Sequence, residues 1–116
     1  MEWTITGEYY VSKFEDITLR IRKNNLNKET HTFAYNTVVL YKMHEAEIIE
    51  YALKSIADFY HKPEIDRTLV EKLKNPIIEI YSNKDGIILW INFDVNEKTI
   101  SCKFKENLEL LKIEIK

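Results

Sequence analysis

The run GIILWINF, Gly86 to Phe93, limits the fold more than any other stretch of this chain. In an extended strand successive side chains point to opposite faces. Ile87, Leu89, Ile91 and Phe93 therefore share one face, while Ile88 and Trp90 share the other. A strand that is apolar on both faces belongs in the interior of a sheet, where neighbours flank it and other groups lie above and below. The pair Asp85-Gly86 just ahead of it marks a tight hairpin, since glycine tolerates the positive φ such a turn requires. Ile78 and Ile80 before the turn, and Ile100, Cys102 and Phe104 after the polar break at 94–98, alternate with polar residues. A C-terminal meander is expected, with Ile77 and Tyr81 as cross-hairpin neighbours of Ile88 and Trp90.

Elsewhere the period decides the element. Ile17, Leu19 and Ile21 alternate with Thr18, Arg20 and Arg22, the pattern of a half-buried strand with a basic outer face. Trp3 to Val11, interrupted at Gly7, reads as one short strand or two around a turn. Phe33–Lys42, rich in β-branched and aromatic residues, predicts a further strand. From His44 the period becomes helical, with Ile49, Ala52, Leu53, Ile56 and Tyr60 on one side and Glu47, Glu50, Lys54 and Asp58 on the other. That helix should stop before Pro63. Asp66 is a suitable N-cap for a second, shorter helix closed by Asn75 and Pro76. In the last strand apolar parity shifts from Leu108 and Leu110 to Leu111, Ile113 and Ile115, which predicts a bulge near Leu110. The expected order is β-β-β-α-α-β-β-β-β: one α+β domain over 1–116, with an antiparallel sheet of about six to seven strands and two consecutive helices.

Composition excludes more than it selects. The 116 residues include 45% apolar and 31% charged side chains, enough for one packed core. The net charge of -2 and pI near 5.9 exclude a strongly basic nucleic-acid binder while leaving room for a local basic patch. Cys102 is the single cysteine, and its place on an alternating strand makes it a core thiol. The start MEWTITGEYY has neither the basic nor the apolar region of a secretory signal, and no apolar run approaches a membrane span, so a cytoplasmic home and no membrane partner are expected.

Motifs for chemistry are mostly missing. Gly7 and Gly86 are the only glycines, too far apart for a phosphate-cradling loop. HEAEI, His44 to Ile48, falls short of the zinc motif H-E-x-x-H because Ile48 replaces the second histidine. His44 with Glu47 and His61 with Glu64 share a spacing, but the helix holds them ~25 Å apart. No metal, cofactor or catalytic group is expected. Arg20, Arg22, Lys23 and Lys28 with Tyr9, Tyr10 and Tyr35 have the residue types of a single-stranded nucleic-acid surface. Glu15, Asp16 and Glu29 lie close by in sequence and make a mixed, solvated face the ordinary reading. Glu45, Glu47, Glu50 and Asp58 form an acidic helix face suited to a basic protein.

The segment KLKNPIIEIYSNKDGIILWINFDVNEKTISCKF, with ADFYHKPEIDRTLVEKL leading into it and ITLRIR among the early strands, resembles a group of small bacterial α+β proteins of unknown function. Their order is a helix, an Ile-rich strand, an Asp-Gly hairpin, an apolar-aromatic strand ending in Asp, and a last strand. Proteins of this kind occur in toxin-immunity gene clusters, where a small cytoplasmic protein neutralises a toxin by binding it. The resemblance implies a non-catalytic protein-binding role toward a cognate toxin. The expected contact surface is either the acidic residues Glu45, Glu47, Glu50 and Asp58 or the second sheet face with Ile88, Trp90 and Tyr81. The alternative expectation is a small enzyme or ligand-binding protein with a pocket between helix and sheet. The oligomeric state is not specified by any of these patterns.

Overall fold

The computed structural model describes residues 2–116. Strands β1 (Thr4–Thr6), β2 (Tyr9–Phe14) and β3 (Ile17–Arg22) precede a single long helix, α1 (Lys28–Phe59). A 3-10 turn, Arg67–Leu73, then leads into β4 (Ile77–Asn83), β5 (Gly86–Val95), β6 (Lys98–Lys105) and β7 (Leu110–Ile115). The seven strands lie side by side in chain order, all neighbours antiparallel except β3 and β4.

That parallel junction corrects the expectation of a wholly antiparallel sheet. Parallel neighbours need a crossover rather than a hairpin, and α1 with the 3-10 turn supplies it between Arg22 and Ile77. The α+β class stands, with one helix where two were expected. From its Asp66 cap, whose carboxylate accepts from the Thr68 amide at 3.0 Å, the second helical segment runs only as the 3-10 turn.

The larger correction concerns Phe33–Lys42, which is helix and not strand. Its β-favouring residues sit behind a strong start signal. Asn27 Oδ1 accepts from the Thr30 amide at 2.9 Å, and Thr30 Oγ1 accepts from the Asn27 amide at 3.1 Å, a reciprocal capping box. Beyond it Thr30, Ala34, Thr37, Val38 and Tyr41 are buried at helical spacing, in line with Ile48, Ala52, Leu53 and Ile56. One continuous buried stripe outweighs the weak strand propensity of single residues. At the other end Lys62 N donates to Ala57 O at 2.8 Å around His61 at φ +54°, a Schellman closure ahead of Pro63.

Helix α1 crosses the sheet from the β1 edge, where the His31 ring lies tilted beside Trp3 with centroids 5.8 Å apart, to the β7 edge, where Ser55 and Phe59 meet Ile113 and Ile115. It buries one sheet face. Leu19, Ile21, Ile78, Ile80, Leu89, Ile91, Cys102 and Phe104 are fully buried there, joined by Leu53 and Leu73. Each such side chain contributes roughly 1.5–3 kcal/mol of hydrophobic stabilisation. The expected bulge is present, between the pairs Lys103–Lys112 and Phe104–Leu110. Asn96 and Glu97, at φ +49° and +67°, close the β5–β6 hairpin as a two-residue turn of the primed type.

Candidate functional site

Both helical segments pack on the same side of the sheet, and among the described residues no element covers the other side. Strand register determines what that side presents. Val11 pairs with Arg20, Arg20 with Glu79, Glu79 with Trp90, Trp90 with Lys103 and Lys103 with Lys112, one row crossing six strands. Parallel to it, Tyr9 stands opposite Arg22, and Tyr81 pairs with Ile88 and through it with Lys105. Lys13 and Asp94 lie on the same face, as does Glu114 opposite Ser101. The face therefore carries more than twice as many basic side chains (Lys13, Arg20, Arg22, Lys103, Lys105, Lys112, Lys116) as acidic ones (Glu79, Asp94, Glu114). The chain's net charge of -2 conceals this surplus.

The cations gather on two aromatic rings. Arg20 and Arg22 lie 4.6 and 5.1 Å from the centre of the Tyr9 ring, and Glu79 accepts from Arg20 Nε at 3.1 Å with Arg22 Nε at 3.8 Å. Across the sheet, Lys103, Lys112 and Lys116 place their ammonium groups 5.6, 5.6 and 5.9 Å from the Trp90 ring. The negative face of the ring quadrupole attracts each cation. Glu114, held by Lys112 at 2.8 Å and Lys116 at 3.4 Å, keeps its carboxyl below the ordinary carboxylate range, chiefly through the Lys112 hydrogen bond.

Ile88 and Trp90 have different surroundings although they share this face. Ile88 is 6% exposed and lines a hollow of about 550 Å³ with Lys103, Lys105 and Leu111. Trp90 and Tyr81 are half-buried. Asn92, its amide donating to Ile77 O at 3.2 Å, and Ser101 fill the space beyond.

Glu45, Glu47, Glu50 and Asp58 are exposed on α1 and belong to the helix layer, away from Trp90. Two of the four are engaged. Glu47 holds His44 Nδ1 at 3.3 Å and accepts from the Tyr51 hydroxyl at 3.1 Å, which raises the Tyr51 phenol above its usual value. Glu50 pairs with Arg67, and that hydrogen bond lowers its carboxyl. The two alternative contact surfaces thus lie on separate layers, the acidic residues on α1 and Ile88, Trp90 and Tyr81 on the open sheet face. The helix also carries Tyr35, Val39 and Met43, 62%, 41% and 71% exposed, an apolar stripe hidden from sequence reading because the segment was expected to be a strand. The spacing i, i+4, i+8 was the signal available for it.

Of the supposed nucleic-acid set, Arg20 and Arg22 join Tyr9. Tyr10, in register with Ile21, faces the helix side, and Tyr35 lies on α1. Reactive groups do not converge: no set of three or more His, Cys, Asp or Glu that could hold a metal occurs among the described residues. Cys102 is fully buried, and burial pushes its thiol up to about 12. A cavity of about 510 Å³ does open between α1, the 3-10 turn and the sheet, floored by Ile56, Leu69, Val95, Ile100 and Ile115 and rimmed by Lys62, Glu64 and Lys98. Its size suits a small amphipathic molecule.

Fold and surface together define an α+β protein with a one-sided helix layer and an open, aromatic and predominantly basic sheet face. Comparison with protein-family models, with curated proteins and with solved structures finds no match. Among the described residues no helix is long and apolar enough to cross a membrane.

Proposed function

We propose that this chain is a non-catalytic binding module that engages one protein partner through the open face of its sheet, and that it serves as a cytoplasmic immunity protein neutralising a bacterial toxin. The observation that carries the binding role is the row Arg20–Glu79–Trp90–Lys103–Lys112, flanked by Tyr9 and Tyr81 and covered by no element among the described residues. Trp, Tyr and Arg are the residues that dominate binding energy at protein interfaces. Strands hold them on a rigid platform, so little ordering entropy opposes binding. The interleaved Glu79, Asp94 and Glu114 favour a protein surface of mixed, mainly acidic charge over a polyphosphate backbone, which each carboxylate would repel. The immunity role is drawn from the resemblance of the Asp-Gly hairpin meander and its preceding segment. Inhibition by such a module is steric: the sheet face covers the toxin's working surface.

The test is co-expression with the product of each neighbouring gene. The expected result is a one-to-one complex and relief of toxicity, both lost in Arg20→Glu/Trp90→Ala with the fold intact by circular dichroism. Neutralisation that survives this variant would remove the sheet face from the proposal. Absence of any neutralised neighbour would remove the immunity role. Affinity for single-stranded RNA that falls steeply with salt would instead identify a nucleic-acid surface.

A second reading rests on the 510 Å³ cavity, whose apolar floor and charged rim suit a small amphipathic ligand. Leu69→Trp, which fills it, separates the two readings: a ligand-binding protein loses its function and a sheet-face binder keeps it.

A further inference from the structure

We propose that two copies of this chain join edge to edge through β7, making one continuous sheet with both helix layers on the same side. The inference rests on the backbone and charge pattern of β7 and stands apart from the toxin-partner reading.

The free edge of β7 is chemically unfinished. Thr99 and Lys116 exchange reciprocal backbone hydrogen bonds at 3.0 Å, which sets the alternation along the β6–β7 pair. Lys112, Glu114 and Lys116 turn their backbone groups toward β6, and Ile113 and Ile115 turn theirs outward. An edge strand with outward N–H and C=O groups is a template for another strand.

The side chains favour the register that uses the whole strand. A two-fold axis at Ile113 makes Ile113 a hydrogen-bonded pair with its own copy. It also places Lys112 opposite Glu114 of the second copy, twice by symmetry. Those two are non-hydrogen-bonded pairs, whose Cα atoms approach to about 4.5 Å and whose side chains meet most closely. Sliding the axis to Lys112 opposes lysine to lysine, and sliding it to Glu114 opposes glutamate to glutamate. A slip of one residue turns one helix layer to the opposite face. Lysine on an edge normally discourages pairing, and here the Ile113 register cancels the discouragement while using the whole of β7; an axis at Ile115 would also set Glu114 opposite Lys116, but it lies at the end of the strand and leaves most of β7 unpaired. On the helix side the same edge carries a groove of about 360 Å³ lined by Ser55, Asp58, Phe59, Ile113 and Ile115, with Phe59 45% exposed. The second copy's Ile113 would roof it.

Sedimentation velocity of the 116-residue chain from micromolar to near-millimolar concentration tests this. A reversible dimer is expected. Lys112→Glu and Glu114→Lys should each weaken it by about tenfold or more, since each replaces two opposite-charge pairs with like-charge pairs. The double variant Lys112→Glu/Glu114→Lys should bring it back to within a few-fold of wild type. A monomer throughout the range overturns the proposal, as does a dimer indifferent to the single reversals or not restored by the double one. Should a variant fail to fold, hydrogen exchange on the wild-type chain decides. The Ile113 and Ile115 amides must become protected as concentration rises, and concentration-independent exchange there overturns the register.

Discussion

Arg20 Nε donates to Glu79 Oε1 at 3.1 Å across the sheet's parallel junction, tying the last strand before α1 to the first strand after it. The pair is partly buried, with Glu79 the more enclosed partner, and it closes the loop that the crossover opens. Glu79→Gln should lower stability to urea by about 1 kcal/mol with an unchanged denaturant slope, as expected for a charge-assisted bond still touched by solvent. High salt should shrink the difference.

The start of α1 depends on two side chains. Asn27→Ala removes one half of the capping box and should cost about 1 kcal/mol. Thr30→Val should cost more, about 2 kcal/mol, because Thr30 is fully buried and its hydroxyl serves both the Asn27 amide and Asn25 O. Urea midpoints that rank Asn27→Ala as the more damaging would contradict this account of helix initiation.

Trp90 and Phe93 lie three residues apart on β5 with opposite environments. Phe93 is 1% exposed on the helix side, and Trp90 is half-buried on the open side among lysines. Phe93→Ala should cost about 3–5 kcal/mol through cavity formation, and Trp90→Ala no more than about 2 kcal/mol. In a Trp3→Phe background the emission of Trp90 should shift when a partner covers the sheet face, since no other tryptophan remains. A bound partner that leaves this emission unchanged would place the contact elsewhere.

Cys102 links the core to alkaline pH. Its folded-state thiol is pushed up to about 12 by burial, against about 8.5 for a free cysteine. A group held protonated by folding supports the native state fully below the unfolded value, and that support drains away as pH climbs from about 8.5 to about 12. Tyr41, raised mainly by burial, acts in the same direction. Stability measured in urea should therefore fall progressively above pH 9, less steeply in Cys102→Val. At pH 8 the native thiol should resist disulfide reagents and react fully once the chain is denatured.

Local pattern was enough for much of this molecule. The alternation in ITLRIR, the hairpin ahead of β5 (its turn residues are Lys84 and Asp85, one position before the expected pair, with Gly86 at φ +109° opening the strand), the Asp66 cap, the parity shift near Leu110 and the core place of Cys102 were legible because each is decided within a few residues by sterics and periodicity. In Phe33–Lys42 strand propensity competes with a buried stripe that becomes evident only when joined to Ile48, Ala52 and Ile56. The candidate site was legible in part: Arg20, Trp90, Tyr81 and Ile88 could be assigned to a face, but Lys103 and Lys112 could not be assigned to Trp90. Side-chain parity follows from the chain's own geometry, so the sequence by itself determined which residues share a face in the clearly alternating strands β3, β5 and β6. Which strands become neighbours, that β3 and β4 run parallel, and that one face remains uncovered depended on where α1 came to rest. That placement is a competition among long-range burials, and only the tertiary structure decided it.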